Sequence, residues 1–420
     1  MACALDDDAR YPTWTPIGSL DPNPTLSSGS HFCGSLSLSP ASCAAAFLRA
    51  GQLPPWPQFD AAERLATHRC RTAIHAVLPA LGIGPGAEIL APAYNCGSEI
   101  DSLLAVGATV RMYDVTTATG IAVEAIQAQL TPATKAVYVT HYFGWPQDLD
   151  PIRRLCDERG LLLFEDCALS LFSSDRAGWL GRWGDASFFS INKYFGVPNG
   201  AVTLLRKPLG LRFTKSPTVQ LLKECGRLAK RALLRSISRT LPSVPHRLLA
   251  GKPYIRPDLM PDGQESMPGA YHYNDAEMTG SRMSRVTLGV LNDAATANIV
   301  RQRRSNYLQL MNGIKGVHGA RALFSGLPDG ICPLAAPLVM KDRQRWMKIL
   351  ARLGAHPIAW WSGYHPGLDF APYSNARLLK DSIVALPIHQ QLNTADIDFL
   401  IDCVLAADET IRNRSPETEE

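Results

Sequence analysis

The chain has 420 residues, 46% of them apolar and 19% charged, so it is long enough for two or three domains and a large core. No apolar run reaches the roughly 20 residues that a membrane span requires, and the start, Met1-Ala2-Cys3-Ala4 turning acidic at Asp6-Asp7-Asp8, carries no basic-then-apolar export signal. The ten cysteines are scattered with no Cys-x-x-Cys pair, which argues against a zinc site or a disulfide framework and for a reduced, cytoplasmic protein. The net charge of +4 is uneven: residues 206–256 hold 13 Lys and Arg against the single acid Glu224, so this segment carries about +12 and the remainder about −8.

Residues 1–59 are rich in Pro, Ser and Gly and read as an N-terminal arm, with a short helix over Ala41–Ala50 and a stiff connector at Pro54-Pro55-Trp56-Pro57. A helical pattern is expected over Asp60–His68 and a second helix over Thr72–Leu81, stopped by Gly82, Gly84, Pro85 and Gly86. Strands and helices then alternate. Strands are expected at Glu88–Ala91, Thr109–Tyr113, Lys135–Thr140 and Leu161–Glu165, and helices at Asn95–Val106, Val123–Leu130 and Asp148–Arg159. Ala186–Ile191 and Ala201–Leu205 complete the set. This rhythm predicts an α/β fold, a mostly parallel sheet covered by helices, over 60–205, with ligands at the carboxyl ends of its strands.

Residues 206–280 interrupt the pattern as a basic insertion. An amphipathic helix is expected over Thr218–Arg239, with Leu221, Leu222, Cys225, Leu228, Ala229, Ala232 and Leu233 on its apolar face, followed by a Pro-rich loop up to Tyr273. A linking helix over Met283–Met311 leads into a smaller α+β domain ending at 414. Its strands are expected near Pro333–Met340 and Ser382–Leu386, and its helices at Asp342–Leu353 and Thr394–Ala407. Residues 415–420 read as a polar, disordered tail.

Two places in this layout carry chemistry. Leu161–Phe164 runs into Glu165 and Asp166 at one strand end, and the aromatic segment Ser187–Ser190 delivers Lys193 close to another. A carboxylate and a lysine on neighbouring strand ends suit pyridoxal phosphate: the lysine holds the cofactor as an imine and moves a proton, and the carboxylate keeps the pyridine nitrogen protonated. The plainer readings are a helix-capping Asp166 and a surface Lys193; the apolar setting of Phe188, Phe189, Tyr194 and Phe195 disfavours the second. Thr72, with Arg71 beside it, opens a helix whose N–H groups and dipole suit a phosphate, and Ser190 or Ser187 offers a hydroxyl. No metal ligand set is expected.

With these elements in place, the chain resembles the DegT/DnrJ/EryC1/StrS sugar aminotransferases, fold type I pyridoxal-phosphate enzymes, over about 60–205 and 280–408. The resemblance rests on Thr72–His75 with Leu81–Gly86, Ala91–Asn95, His141–Gly144 with Asp148–Asp150, Glu165–Ala168, the Lys193 segment, and Ala385–His389 with Asp396-Ile397. It implies a homodimer that moves an amino group, from glutamate, to a keto group of a nucleotide-linked sugar, in polysaccharide or antibiotic sugar biosynthesis. It also implies cofactor contacts from Lys193, Asp166, Arg71, Thr72, Ser190 and a ring-stacking residue, either Tyr94 or Cys96, and substrate contacts from His141 and Arg282.

Three positions depart from the family. Cys96 stands where an aromatic is usual, Leu169 where Gln or His follows the Asp, and Arg282 lacks the preceding Asn. They leave open a different reaction of the same cofactor, dehydration, elimination or transamination of a non-sugar ketone, or a non-catalytic descendant. The basic segment 206–256 reads as a lid over a nucleotide diphosphate, as a peripheral membrane contact, or as a solvated helix face; no nucleic-acid motif accompanies it.

Overall fold

A computed structural model of the chain describes residues 35–49, 51–214, 218–240, 258–259, 265–266 and 280–413. The tail at 415–420, most of the arm and most of the Pro-rich loop lie outside the described residues; within that loop, Asp258–Leu259 pairs with Glu265–Ser266 as a short antiparallel hairpin.

The larger sheet has seven strands: β1 (Glu63–Thr67), β2 (Glu88–Pro92), β3 (Thr109–Tyr113), β4 (Thr134–Thr140), β5 (Leu162–Asp166), β6 (Ala186–Ser190) and β7 (Ala201–Leu205), in the order β1-β7-β6-β5-β4-β2-β3. The block from β3 to β6 is parallel, while β7 runs antiparallel to both β6 and β1. All of β2, β6 and β7 and nearly all of β4 and β5 are buried, which is why these strands read as apolar runs rather than alternations. Helices α1 (Pro40–Leu48), α2 (Cys70–Ala80), α3 (Gly97–Ala105), α4 (Val123–Gln127) and α5 (Asp150–Arg159) precede or cross between the strands. α5 stops at Gly160, which takes φ 64° at no steric cost.

The expected helix over Asp60–His68 is instead β1. Leu65 and Thr67 face inward while Arg64 is exposed, and every residue of the strand pairs with β7 in register. Five alternating residues are too few to nucleate a helix, and the unpaired edge of β7 supplies the hydrogen bonds.

Helix α6 (Thr218–Thr240) forms where expected, but its contacts differ. Leu222 and Leu233 of the anticipated apolar face are 68% and 61% exposed, whereas Leu228, Arg235 and Ser238 are buried. Arg235 anchors the helix, its guanidinium donating to Ser37 Oγ, the Ser35 carbonyl and Gln391 Oε1. The expected single helix over Met283–Met311 is two, α7 (Arg285–Asn292) and α8 (Thr296–Gly313). Ser284 caps the first, and the chain breaks at Asp293–Ala295 between them.

The second sheet is antiparallel throughout. Its strands are β8 (Ala320–Ala322), β9 (Ala336–Met340), β10 (Ile358–Ala359) and β11 (Ile383–Leu386), in the order β8-β9-β11-β10. Helices α9 (Arg343–Leu353), α10 (Ser374–Ser382) and α11 (Thr394–Arg412) accompany it, the last opened by a reciprocal cap between Asn393 and Asp396. α8 and α11 pack against the β9–β11 pair around the fully buried Trp346.

Candidate active site

The strand end of β5 is built on Glu165, whose side chain points away from that of its neighbour Asp166. Glu165 is fully buried and accepts from the backbone N–H groups of Gly181 (2.6 Å), Trp183 (3.0 Å) and Gly184 (3.0 Å) and from His141 Nε2 (2.9 Å). These donors outweigh burial and hold its carboxyl below the ordinary value of 4.5. His141 Nδ1 in turn accepts the Gln147 N–H, so the ring proton sits on Nε2. The trio His141, Glu165 and Cys167 brings potential metal-ligand atoms together, but the glutamate oxygens are taken by N–H donors and burial keeps the Cys167 thiol protonated. It is a hydrogen-bond node that fixes the turn after β5. His141 is therefore not the substrate-facing residue expected: it is buried and both ring nitrogens are occupied.

This node predicts a pH dependence. The folded pKa of Glu165 lies below its unfolded one, so its contribution is complete above 4.5 and is lost as pH falls through the folded value. Glu165→Gln should lower the urea midpoint at neutral pH, by about 3–5 kcal/mol of stability, and should flatten the acid limb. An equal loss at pH 7 and about pH 3 would contradict the assignment.

Asp166 is 5% exposed and lies in register with Thr140 of β4 and Phe188 of β6. One of its oxygens accepts the Ala168 N–H at 2.8 Å. Lys193 ends a single 3-10 turn, Ile191–Lys193, and is partly exposed. The turn is gripped from behind. Tyr194 is fully buried with its hydroxyl donating to the Leu169 carbonyl at 2.6 Å. Arg303 of α8, also fully buried, lies 4.7 Å over the Tyr194 ring and donates to Gln390 and to the Leu334 and Lys193 carbonyls. Gln390 closes the clamp with a 2.7 Å bond to the Tyr194 carbonyl. Just beyond, Gly200 takes φ 132°, and a Cβ there would stand 2.8 Å from the Thr287 side chain.

α2 lies among the strands that carry these two residues, its Ala73 and Ile74 sharing a core cluster with Phe164 of β5 and Phe188 of β6. Cys70, its first residue, feels the charges of both Asp166 and Lys193, together with that of Arg71, and burial drives its thiol up to about 12. Arg69, at the N-cap, makes no side-chain capping bond. Thr72 is fully buried, and its hydroxyl has no hydrogen-bond partner among the described residues. These groups are the ones a phosphorylated pyridine would need: Thr72 and the α2 N–H groups would hold the phosphate, Asp166 would serve the ring nitrogen and Lys193 the aldehyde. Arg71 is partly exposed at the same end. His68, just ahead of α2, accepts from Asn199 and is driven down to about 4, chiefly by burial and then by Arg69 and Arg71, so it stays neutral.

The other expected contacts differ in placement. Ser190 is buried on the same segment as Lys193, its hydroxyl donating to Asn192 at 2.7 Å. Ser187 is fully buried against Glu165. Tyr94 corrects the expectation of a stacking ring. Its ring packs on Tyr142 at 5.4 Å and Trp361 at 5.4 Å, and its hydroxyl reaches the Trp360 carbonyl. Cys96 precedes the first turn of α3, its thiol 3.0 Å from the Ser98 hydroxyl. Arg282 is exposed and lines an apolar groove of about 750 Å³ between α1, α6 and α7. Leu169 is fully buried in the apolar cluster around Phe172 and Tyr194.

Two residues at this site were not legible as such. Glu99, on the first turn of α3, is 7% exposed and lies beside Asp166. Lys380 of α10 is fully buried and donates to the Asn95 and Trp361 carbonyls at 3.1 and 3.2 Å. An acid in a first helical turn and a lysine in a mixed helix are ordinary surface features, and only the three-dimensional fold turns them inward.

Comparison with known proteins shows which folds this chain is similar to. Residues 59–198 match the model of the DegT/DnrJ/EryC1/StrS aminotransferase family. Among solved structures, the aminotransferase TlmJ from Streptoalloteichus hindustanus is 21% identical, with 91% of this chain and 100% of that chain covered at a TM-score of 0.64. DesV from S. venezuelae is 19% identical, covering 88% and 95% at 0.62. PseC from Helicobacter pylori, an aminotransferase involved in the biosynthesis of pseudoaminic acid, is 15% identical, covering 91% and 99% at 0.63.

Proposed function

We propose that this chain, whose residues 59–198 match the DegT/DnrJ/EryC1/StrS aminotransferase family, is a pyridoxal-phosphate-dependent aminotransferase of that kind and aminates a keto group of a nucleotide-linked sugar, with glutamate as amino donor. The observation that supports the reading is the placement of Asp166 at the end of β5 and Lys193 on the turn after the neighbouring β6, with the buried Thr72 hydroxyl, unpartnered among the described residues, on α2, a helix whose Ala73 and Ile74 share a core cluster with those strands. When bound there, pyridoxal phosphate supplies an electron sink. The chain's own groups do the rest. Thr72, Arg71 and the α2 N–H groups hold the phosphate, with Ser190 on the lysine's own segment. Asp166 holds a proton at the ring nitrogen. Lys193 binds the cofactor through its amine and, once released, carries a proton between carbon atoms of the substrate.

The homodimer and a cytoplasmic location are part of this proposal, as is a peripheral contact with anionic lipid through α6. Its exposed Leu222 and Leu233 lie on the same helix as the exposed Lys223 and Lys230, which supports such a contact. No described helix is long and apolar enough to cross a membrane.

The test is a pair of half-reactions. Glutamate alone should yield stoichiometric 2-oxoglutarate, and a nucleotide-linked keto sugar should then return the enzyme to its starting spectrum as the amino sugar forms. If no amino acid yields its keto acid while the cofactor is bound, the second reading stands: a non-transferring reaction, favoured by Leu169, whose buried apolar side chain offers the cofactor no hydrogen bond.

A further inference from the structure

Two cysteines that the reaction outlined above does not use meet across the fold. Cys43 of α1 and Cys225 of α6 are 182 positions apart in the chain, yet their Sγ atoms lie 3.6 Å from each other, in van der Waals contact. Both are free thiols, partly exposed on the wall of the apolar groove between α1, α6 and α7, and so open to a small oxidant. The meeting is built into the helices. Leu221, Cys225 and Ala229 follow one another at i, i+4 spacing and line the groove together, which sets Cys225 on the face of α6 turned to α1. α1 is itself firmly seated: a Cβ at Gly289 of α7 would overlap the Ala46 carbonyl, so these two helices touch backbone to backbone. Further along α6, Arg235 ties the helix to Ser37 and Gln391. The thiol contact joins the first half of the same helix to α1.

We infer that Cys43 and Cys225 form a redox site: under oxidising conditions a reversible disulfide joins them and fastens α6 to α1. The sulfurs need about 1.5 Å of further approach to reach bonding distance. The oxidant is a low-molecular-weight disulfide such as oxidised glutathione. The Cys43 thiolate attacks one of its sulfurs, the glutathione S–S bond breaks, and one glutathione leaves as thiol. The Cys225 sulfur then attacks the mixed disulfide at Cys43, and the second glutathione leaves. Two protein thiols are oxidised, one glutathione disulfide is reduced, and the two thiol protons end on the two glutathiones. Burial, and then the neighbouring Cys43, push the Cys225 thiol up to about 12, which makes Cys43 the first attacker and Cys225 the resolving residue. In a reducing compartment such bonds are transient and report a change of redox state. The bond acts on α6. With its first half tied to α1 and its second half tied through Arg235, the helix is held at both ends. The inference depends on neither the cofactor nor the substrate proposed above.

The test uses the full chain, fully reduced and then equilibrated in glutathione buffers of rising oxidised fraction. Remaining thiols are alkylated, and the peptides are mapped by mass spectrometry without reduction. A peptide pair joining Cys43 to Cys225 should accumulate, and dithiothreitol should release it. Amide hydrogen exchange across Thr218–Thr240 should slow several-fold on oxidation and recover on reduction. Cys43→Ser should abolish both effects and leave α6 exchanging at the rate of the reduced wild type. The map of the wild-type chain does not depend on the variant folding. Both thiols still open to alkylation in oxidised glutathione alone, a glutathione adduct that stays on Cys43, or a bond from either residue to a different cysteine overturns the inference. A Cys43–Cys225 bond that leaves the exchange of α6 unchanged overturns its action on the helix.

Discussion

Lys193→Ala is expected to abolish turnover, lowering the rate by at least about a thousandfold, while the protein stays folded. The fold should tolerate the change because the clamp around the turn uses other atoms. Arg303 bonds the Lys193 carbonyl rather than its amine, Gln390 bonds the Tyr194 carbonyl, and the Tyr194 hydroxyl bonds the Leu169 carbonyl. The side chain itself is partly exposed. The variant should therefore bind pyridoxal phosphate only reversibly, losing it on gel filtration, with an unchanged melting temperature. Retained activity with a mass-shifted chain would place the covalent link on another amine.

Asp166→Ala should be nearly as severe, about a hundredfold to ten-thousandfold in rate, and should act on the cofactor's electronics rather than on its retention. Asp166 accepts one backbone bond, from Ala168, at the end of a strand where its neighbour Glu165 accepts the structural N–H bonds. Its removal costs little in folding but withdraws the anion from the ring nitrogen. The expected signature is a drop in kcat with Lys193 still linked to the cofactor. An Asp166→Asn enzyme of normal kcat would show that the ring nitrogen is protonated by some other group.

The sheet and its strand-end pair were readable because they rest on short-range pattern. Buried central strands show as apolar runs, and Thr109–Tyr113 and Ala201–Leu205 fall where read. Thr72 and Arg71 open α2 within two residues of the expected start. What escaped depends on partners distant in sequence. β1 is a strand because β7 needs an edge, across more than 130 residues. Arg235 is buried because Ser37 and Gln391, distant in sequence but hydrogen-bonded to each other, both take its guanidinium. Tyr94 turns from the site into a cluster whose other rings come from 142 and 361. Glu99 and Lys380 look like surface charges until α3 and α10 are packed. His141 lies at the expected strand end, but its role was decided by its pairing with Glu165 and Gln147, which no linear motif shows.

Two buried or half-buried lysines stand near this site, and chemistry separates them. Lys380 has an amine lowered to about 7 by burial, the property expected of a reactive lysine. Yet its Nζ is committed to two backbone carbonyls and holds the turn before α3 in place. Among the described residues, Lys193 is held through its backbone carbonyl, by Arg303, and follows β6, the strand next to the one that ends at Asp166. The decisive measurement is borohydride fixation of pyridoxal phosphate on the wild-type protein, followed by peptide mapping by mass spectrometry. The cofactor should be recovered on the peptide containing Lys193 and nowhere else. Recovery on Lys380, or no fixation in a protein that binds the cofactor, would contradict the assignment of the site.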